Sequence, residues 1–442
     1  MSAREAVSIT GIGMITPVGW GIAEVFDAVC TGRSGLASPP DGHQAFGSIE
    51  VAGMITAEHG ELEPSRIGAG PELNTLDRTI VLAVLTARQA LADAGVQVGR
   101  DVEPRRIGVI LGGVGGMATL ERQVLQRAVR GRVAVSPYLL TGILPNMPSA
   151  RIAIEHGIRG YSSSVGTACA SGAQAIADGV RLIRCGELDM VLCGASEAPL
   201  FATFAETFGN ARALARGWDA PADASRPFDR RRNGFVLAEG AALLVLERSE
   251  HARARGARGY ADVLGYGANT DAHHPTIPRP DGSGAADCMT MAIRQAGVLP
   301  GDVGYLNAHG TSTKLGDLAE TVAIGLSFGS QRPAVSSTKA LTGHMLGTSG
   351  VVEAAISALA IGTGQLPPTY NLDDPDPACE LDHICKQPRS VDVRYALSNS
   401  FGFGGQNVSL LFGSSSLPST ELPVASEVPA PVSAPDHERG TS

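Results

Sequence analysis

The sequence lacks the cysteine spacing of a disulfide framework or of a structural zinc site. Its 442 residues include seven cysteines, which are scattered along the chain without a C-x-x-C pair. An odd and scattered set of this kind matches neither a disulfide scaffold nor the zinc-binding motifs. We therefore expect free thiols, no metal site and a cytoplasmic location, where reducing conditions keep thiols free.

Long apolar runs and an excess of basic residues are also lacking. No apolar stretch approaches the roughly 20 residues that a transmembrane helix needs, and the first residues lack the features of a signal peptide. The formal net charge is −9, which argues against a general nucleic-acid binder. We therefore expect neither membrane insertion nor nucleic-acid binding.

The sequence is rich in glycine and in alternating α/β patterns. Its 55 glycines predict many tight turns and close backbone approaches. An amphipathic helix is predicted over residues 77–95, and a buried strand follows it over 106–113. Similar alternation continues along the chain, and it predicts an α/β fold.

The pattern of the first part of the chain repeats in the second. A strand followed by a glycine turn opens both parts, over residues 6–19 and 260–267. The strand–turn–helix pattern over 162–185 has a counterpart over 333–362. Two similar halves that share one core are the economical interpretation.

We assign the two halves to residues 1–258 and 259–413. Residues 414–442 break the pattern, because they are rich in serine, proline and alanine and have almost no bulky apolar side chains. Such a composition cannot bury enough apolar surface to fold, so we predict a disordered tail.

Two glycine clusters resemble phosphate-binding loops. Gly11 and Gly13 follow the first strand, but the third glycine of a dinucleotide-binding motif is misplaced and no acidic ribose partner follows at the expected distance. Close packing of a strand against a helix explains them better. The cluster over 112–116 could cradle a phosphate, although such glycines also let a chain pass close to a pocket.

Cys169 lies where a predicted strand turns into a predicted helix. Unpaired N–H groups and the positive end of the helix dipole lower the pKa of a thiol at such a position and favour the nucleophilic thiolate. A single cysteine is more often an inert core residue. The hypothesis of a nucleophile therefore depends on partners elsewhere in the chain.

Two histidines supply candidate partners. His309 ends a predicted strand, His344 follows another, and both lie in turns rich in glycine, serine and threonine, where function is often located. If the halves are pseudo-symmetric, His344 occupies a position close to that of Cys169. We therefore expect the thiol and both imidazoles to share one crevice.

Four motifs resemble one family in their order and spacing. They are TACASG over 167–172, NAHGTST over 307–313, STKALTGH over 337–344 and NSFGFGG over 399–405. The sequence resembles the β-ketoacyl-acyl-carrier-protein synthases of the synthase II type and the ketosynthases of dissociated (type II) polyketide systems. The resemblance implies a duplicated thiolase-like fold of five layers, α-β-α-β-α, and a dimer.

The resemblance also implies roles for the central residues. Cys169 would carry the acyl chain as a thioester, and His309 and His344 would bind malonyl-acyl-carrier protein and promote its decarboxylation. Lys339 would organise the site as a further catalytic residue. The backbone N–H groups of Cys169 and Phe403 would form the oxyanion hole, with Phe403 as a mobile gate.

Further residues are assigned by the same resemblance. Glu353 would pair with Lys339, and Asp317 would support the site. The substrate-binding candidates are Val114 in the acyl tunnel, Thr311 and Thr313 on the pantetheine arm, and Phe401.

The substrates would arrive on the phosphopantetheine of an acyl carrier protein, without a cofactor of the enzyme's own. Some relatives have a basic pair just before Ser136, where this chain has Val133 and Ala134, and Lys314–Leu315 replaces their Pro-Ala. We therefore expect the carrier protein to dock on other arginines. The candidates are Arg78, Arg130, Arg132 and Arg212.

The expected reaction is a decarboxylative Claisen condensation that gives β-ketoacyl-carrier protein, in polyketide, polyene or fatty-acid chain elongation. The dimer would be a homodimer or a heterodimer with a chain-length-factor-like subunit. One alternative is a non-catalytic chain-length-factor-like or scaffold subunit, against which the presence of Cys169 counts. Another is a cysteine hydrolase, which leaves the second histidine and Lys339 unexplained.

Overall fold

The computed structural model describes residues 6–40, 46–47, 49–55, 62–68, 71–131 and 135–419. The strands up to residue 258 are β1 (Val7–Thr16), β2 (Gly19–Trp20), β3 (Leu36–Ala37), β4 (Ala52–Gly53), β5 (Ile107–Gly112), β6 (Ser162–Val165), β7 (Met190–Glu197), β8 (Leu237–Ala238) and β9 (Gly240–Arg248). The helices are α1 (Gly21–Thr31), α2 (Arg78–Asp93), α3 (Met117–Arg130), α4 (Leu139–Ile143), α5 (Met147–His156), α6 (Ser171–Arg184), α7 (Ala202–Asn210) and α8 (Ser249–Ala254).

The second half continues this alternation. Its strands are β10 (Ala261–Thr270), β11 (Val303–Asn307), β12 (Ala334–Ser336), β13 (Gln365–Leu366), β14 (Asp382–His383), β15 (Arg389–Ser390), β16 (Tyr395–Gly402) and β17 (Gln406–Ser414). Its helices are α9 (Ser283–Ala296), α10 (Lys314–Phe328), α11 (Lys339–Thr342) and α12 (Gly347–Thr363).

The two halves repeat one strand order. The first half orders its strands β6-β5-β7-β9-β1, and the second orders them β12-β11-β16-β17-β10. The directions agree as well, because the first three strands of each series pair in parallel and the last three pair antiparallel. β1 and β10 join the two sheets through the pairs Ser8–Asp262 and Ile9–Ala261.

The helices cover these sheets in three layers. Helices α2 and α5 pack on the outer face of the first sheet, and α9 and α10 pack on the outer face of the second. Helices α6 and α12 pack against each other and against both sheets, and they enclose the largest apolar core. The predicted α/β class and the five-layered α-β-α-β-α fold are confirmed.

Glycines let the strands pack closely on the outer helices. A Cβ atom on Gly13 would lie 2.3 Å from the carbonyl oxygen of Thr86 in α2. The equivalent position in the second half, Gly267, would place a Cβ 2.0 Å from the carbonyl oxygen of Cys288 in α9. Both distances are far below van der Waals contact, so only glycine fits. The strand–helix packing predicted for Gly11 and Gly13 is confirmed.

The predicted boundary between residues 258 and 259 falls in the segment between α8 and β10. Of the predicted tail, Ser414 is the last residue of β17, and Leu417 is buried against Ala252 and Ala257. Residues 420–442 lie outside the described part of the chain. Among the described helices, none combines the length and the apolar character that crossing a membrane requires.

Candidate active site

Cys169 lies in a tight turn between β6 and α6. The turn is a 3-10 helix over Ala168–Ala170, in which Ala168 has a positive φ of 49°. The hydroxyl of Ser171 accepts from the N–H of Thr167 and donates to the carbonyl of Ala168, which fixes this strained backbone. A Cβ on Gly402 of β16 would lie 2.5 Å from the Thr167 carbonyl oxygen. The second half therefore presses directly on the turn that presents the thiol.

The thiol is protonated in this environment. The pKa of Cys169 is raised to about 12, mainly by burial and to a smaller extent by the ionised form of Glu197. The Lys339 charge and the backbone N–H groups of Cys169 and Phe403, which face the sulfur, act in the opposite direction. The lowered pKa predicted from the helix N-terminus is therefore wrong for this state, because desolvation outweighs the helix. The two N–H groups are nevertheless those predicted for the oxyanion hole.

His344 contacts the thiol directly. Its Nε2 lies 3.1 Å from Sγ of Cys169, and its Nδ1 lies 3.2 Å from the hydroxyl of Ser349. Because a hydroxyl both donates and accepts, Ser349 can support either tautomer of the ring. The backbone of His344 is fixed between Val236 and Ala238 by hydrogen bonds of 2.7 and 3.0 Å. The predicted proximity of His344 to Cys169 is confirmed.

His309 completes the group from the end of β11. Its ring centroid lies 5.4 Å from that of His344, and the two ring planes are nearly perpendicular, at 84°. The carboxylate of Glu320 accepts the N–H groups of His309 and Gly310 at 2.9 and 2.8 Å, and Asn399 donates to the same carboxylate. Both imidazoles therefore face one space beside the thiol.

Both histidines are neutral at neutral pH. Burial lowers the pKa of each ring well below 6.5, and the nearby Lys339 charge lowers it further. Lys339 itself is buried and forms an ion pair with buried Glu353, as predicted. The described residues contain no group of three or more His, Cys, Asp or Glu side chains that could hold a metal ion.

A cavity of about 540 Å³ opens on these groups. The predicted residues that line it are Cys169, His309, His344, Thr311, Thr313, Phe401, Phe403 and Arg212. The Phe401 ring lies 5.7 Å from the His309 ring, and Phe403 is 41% exposed beside Phe208. The cavity therefore connects the surface with the thiol along the candidates for pantetheine binding and gating.

Val114 is not among the residues that line this cavity. Its side chain is 36% exposed, and its N–H group faces the buried carboxyl of Glu197. The glycines beside it let the chain pass close to the thiol turn, since a Cβ on Gly112 would lie 2.6 Å from the Ser171 backbone. This close approach matches one of the two alternatives for the 112–116 cluster. The tunnel role of Val114 stays a prediction.

Asp317 supports the loop that follows His309. Its Oδ1 accepts from the N–H of Ser312, which has a positive φ of 71°, and its Oδ2 lies 3.3 Å from Arg232 Nε. The hydroxyls of Thr311 and Thr313 lie 3.1 Å apart on the cavity side of the same loop. Asp317 thus acts through the backbone, behind the cavity wall.

The four docking arginines occupy different environments. Arg78 forms a bidentate ion pair with Glu239 at 2.7 and 2.9 Å, so its charge is already neutralised inside the protein. Arg130 is the exposed last residue of α3, and Arg132 lies outside the described residues. Arg212 is exposed on the rim of the cavity. The dock stays a prediction, which the geometry favours most at Arg212.

The sequence analysis missed several supporting residues. Glu320 lies three residues after Asp317 on the same side of α10, so helical spacing was a usable signal for it. Ser349 follows His344 by five residues across a strained Leu346, which has a positive φ of 49°. No local pattern indicates that contact.

Comparisons with known proteins agree with this geometry. The model of the β-ketoacyl synthase N-terminal domain matches residues 4–252, and that of the C-terminal domain matches residues 260–373. The chain belongs to the β-ketoacyl synthase family. It is 39% identical to the 3-oxoacyl-[acyl-carrier-protein] synthase 2 of Synechocystis sp. over 92% of this chain and 98% of that protein. It is 38% identical to the Vibrio harveyi protein of the same name over 93% of this chain and 99% of that protein.

Solved structures of other β-ketoacyl synthases share the fold. One is a type II polyketide synthase acyl-carrier protein in complex with its ketosynthase bound to the hexaketide, at a TM-score of 0.84 and 30% identity. Another is the ishigamide ketosynthase/chain length factor, at a TM-score of 0.85 and 34% identity. A third is a β-ketoacyl synthase from Burkholderia phymatum, at a TM-score of 0.84 and 32% identity. Each covers 93% of this chain and 100% of its own.

Proposed function

We propose that this chain condenses an acyl group held on Cys169 with malonyl-acyl-carrier protein and releases carbon dioxide and β-ketoacyl-carrier protein. The observation that carries the proposal is the shared cavity: Cys169 Sγ lies 3.1 Å from His344 Nε2, and the His309 ring lies 5.4 Å from the His344 ring. A single nucleophile with two neutral imidazoles suits two successive reactions better than one hydrolysis.

In the first reaction, Sγ of Cys169 attacks the thioester carbonyl of an acyl-carrier protein. The S–C bond to Cys169 forms, the bond to the pantetheine sulfur breaks, and the thiol proton passes to the departing thiol. Because the resting thiol is neutral, a nearby acceptor is needed, and His344 Nε2 is within hydrogen-bond distance. The N–H groups of Cys169 and Phe403 would stabilise the oxyanion.

In the second reaction, His309 and His344 would donate to the thioester carbonyl oxygen of malonyl-carrier protein. Loss of carbon dioxide leaves an enolate, whose negative oxygen these two donors stabilise. Its carbon attacks the acyl carbonyl on Cys169, the Sγ–C bond breaks, and the released sulfur takes up a proton from water to restore the neutral thiol. Burial and, to a smaller extent, the charge of Lys339 keep both rings neutral, so Lys339 would favour this chemistry.

The substrates would arrive on phosphopantetheine, and we propose no cofactor of the enzyme's own. Arg212 on the cavity rim would contact the carrier protein. The pathway that we favour is a dissociated polyketide or polyene system over fatty-acid elongation, located in the cytoplasm as the sequence predicts.

We further propose that the chain works as a dimer. Helix α3 exposes an apolar surface in which Val124, Leu125 and Val129 are 59%, 54% and 85% exposed. Such a surface favours a protein partner, which would be a second copy or a chain-length-factor-like subunit. Light scattering of the chain purified alone, and of the chain co-expressed with such a subunit, separates the two.

The experiment that tests the function is incubation with acyl-carrier proteins of graded chain length, followed by malonyl-carrier protein. Intact mass spectrometry would detect one acyl group on Cys169 and then a carrier-bound product longer by two carbons. Carrier proteins from fatty-acid and polyketide systems would be offered together, and the one that the enzyme uses faster would assign the pathway. Absence of the acyl adduct with every carrier would contradict the proposal.

A further inference from the structure

A buried carboxyl group lies close to Cys169 and has no part in the mechanism described above. Glu197 is the last residue of β7 and is only 1% exposed. Its Oε2 is buried and has no hydrogen-bond partner among the described residues. An unpartnered oxygen of this kind is costly to bury, so its retention calls for an explanation.

Glu197 faces two segments of the site at once. The backbone N–H groups of Val114 and Gly347 both point to its carboxyl group. Gly347 is the first residue of α12, and it follows Leu346, whose strained backbone lines the cavity. The carboxyl group therefore lies between the glycine-rich segment before α3 and the end of the turn that carries His344.

Glycines of both segments lie next to this carboxyl group. A Cβ on Gly347 would lie 3.4 Å from Glu197 Oε1, and one on Gly113 would lie 3.6 Å from the same oxygen. A Cβ on Gly347 would also lie 3.5 Å from the carbonyl oxygen of Ala168, in the turn that holds Cys169. The carboxyl group therefore lies between Gly113 and Gly347, and Gly347 lies beside the turn that holds Cys169.

Glu197 also acts on the thiol through its charge. Its negative form raises the pKa of Cys169, while Lys339 lowers it. The pKa of Glu197 itself is raised to about 8, mainly by burial and to a smaller extent by Asp77 at the N-terminus of α2. At neutral pH the carboxyl group is therefore mostly uncharged, and it ionises as the pH rises through about 8.

We propose that Glu197 is a positioning residue, which holds the segment at Gly113–Val114 and the start of α12 in place around Cys169 and whose ionised form opposes formation of the Cys169 thiolate. The proposal deepens the function proposed above, because it concerns the same nucleophile. Glu197 does not touch the reacting atoms, and it acts through the backbone and through its charge.

The decisive variant is Glu197→Gln, which keeps an acceptor oxygen and the side-chain size but cannot ionise. The rate of Cys169 alkylation by iodoacetamide, followed by peptide mass spectrometry, is measured at about pH 7 and about pH 9.5. At the lower pH the variant and the wild type should react at the same rate. At the higher pH the variant should react about threefold faster, which corresponds to about half a pKa unit.

Asp93→Asn is the matched control. Asp93 is another buried carboxyl whose pKa is raised by burial, to about 6, and it is held by Ile12 and Tyr260 outside the cavity. This variant should follow the wild type at both pH values. An equal ratio of Glu197→Gln to wild type at both pH values would overturn the proposal, because a purely structural carboxyl gives no such dependence.

A second variant, Glu197→Ala, removes the acceptor and tests the positioning itself. We expect its condensation rate to fall at least about tenfold while Glu197→Gln stays close to the wild type. A wild-type rate in Glu197→Ala would overturn the positioning role. If Glu197→Ala does not fold, the alkylation result with Glu197→Gln still decides. Alkylation needs no carrier protein, so it also remains informative if the proposed condensation is not found.

Discussion

The turn after β6 and the turn after β12 hold the same place in the two halves, but they differ in length and chemistry. After β6, one 3-10 turn brings Cys169 directly to the start of α6. After β12, the short helix α11 and residues 343–346 precede α12, and this longer turn carries Lys339 and His344. Because α6 and α12 pack against each other, both turns open on one cavity.

This difference shows how a duplicated fold can divide a reaction between its halves. The short turn leaves room for one strained residue and presents one nucleophile. The longer turn accommodates a buried cation, Lys339, and an imidazole whose ring reaches back to the thiol of the other half. His309, from the neighbouring strand β11, adds the second imidazole. In the proposed mechanism, the first half would carry out the covalent step and the second half the carbanion step.

Removal of the nucleophile should abolish only the step proposed for the first half, and it should have the largest effect. We expect Cys169→Gln to reduce condensation at least about a thousandfold, because no acyl-enzyme can form. Release of carbon dioxide from malonyl-carrier protein should remain measurable, since both imidazoles are intact. Cys385→Ala, in a cysteine outside the cavity, is the control for loss of a thiol. Retained chain extension in Cys169→Gln would refute the nucleophile.

The converse variant should impair the step proposed for the second half. We expect His344→Ala to reduce carbon dioxide release about a hundredfold to a thousandfold, because one of two donors to the enolate oxygen is lost. Formation of the acyl-enzyme should fall far less. Exposed His273, outside the cavity lining, provides the control variant His273→Ala. Unchanged release of carbon dioxide would remove His344 from the proposed role.

The buried ion pair of the second half should contribute to stability as well as to chemistry. Lys339→Met leaves Glu353 buried without its partner, and breaking such a pair costs about 3–5 kcal/mol in the free energy of unfolding. Lys339→Met combined with Glu353→Leu should recover stability but not activity. Urea denaturation measures the stability of the single and the double variant, and the condensation assay measures their activity. If the single variant is as stable as the wild type, the pair is not a structural element of the longer turn.

The pH dependence of decarboxylation should sharpen the contrast between the turns. Since burial and the Lys339 charge hold the pKa values of His309 and His344 well below 6.5, neither ring gains a proton as the pH falls to about 6. The rate of carbon dioxide release by Cys169→Gln should therefore stay level over this range. In Lys339→Met, the fall in carbon dioxide release at acid pH should begin at a higher pH. A fall in carbon dioxide release near pH 6.5 in Cys169→Gln, as an imidazole of ordinary pKa would give, would contradict neutral imidazoles of lowered pKa.

The smallest effect is expected at Phe403, which lines the cavity beside Phe208. Its side chain is 41% exposed, so Phe403→Ala should hardly change the free energy of unfolding. Its N–H group remains, so the oxyanion hole is preserved. We expect condensation to fall only a few-fold, mainly through premature access of malonyl-carrier protein. A loss as large as that of Cys169→Gln would mean that the ring does more than gate.

The residues that the sequence predicts best are those within its motifs. Cys169, His309 and His344 come together as expected, because each ends or follows a strand at the same edge of the fold. The Lys339–Glu353 pair was also predicted, as the family resemblance implies it. The strand followed by a glycine turn, which recurs over residues 260–267, indicated the duplication, and Gly13 and Gly267 make equivalent close contacts with α2 and α9.

What sequence reasoning missed depends on burial and on distant contacts. The depth of Cys169 sets its pKa, and no local pattern shows that desolvation outweighs the helix N-terminus. Arg78 looks like a free cation in the sequence, but Glu239 lies more than a hundred residues away and pairs with it. Strand β16 buries polar residues such as Asn399 and Ser400, so it lacks the apolar alternation by which strands are recognised.

The most direct test of the division of labour is the mass of the enzyme after incubation with acyl-carrier protein alone. Wild type and His309→Ala should both gain a single acyl group, located by peptide mapping on Cys169, and only wild type should then lose it to malonyl-carrier protein. An unmodified Cys169 in the wild type, or an acyl group that His309→Ala transfers at the wild-type rate, would contradict the account.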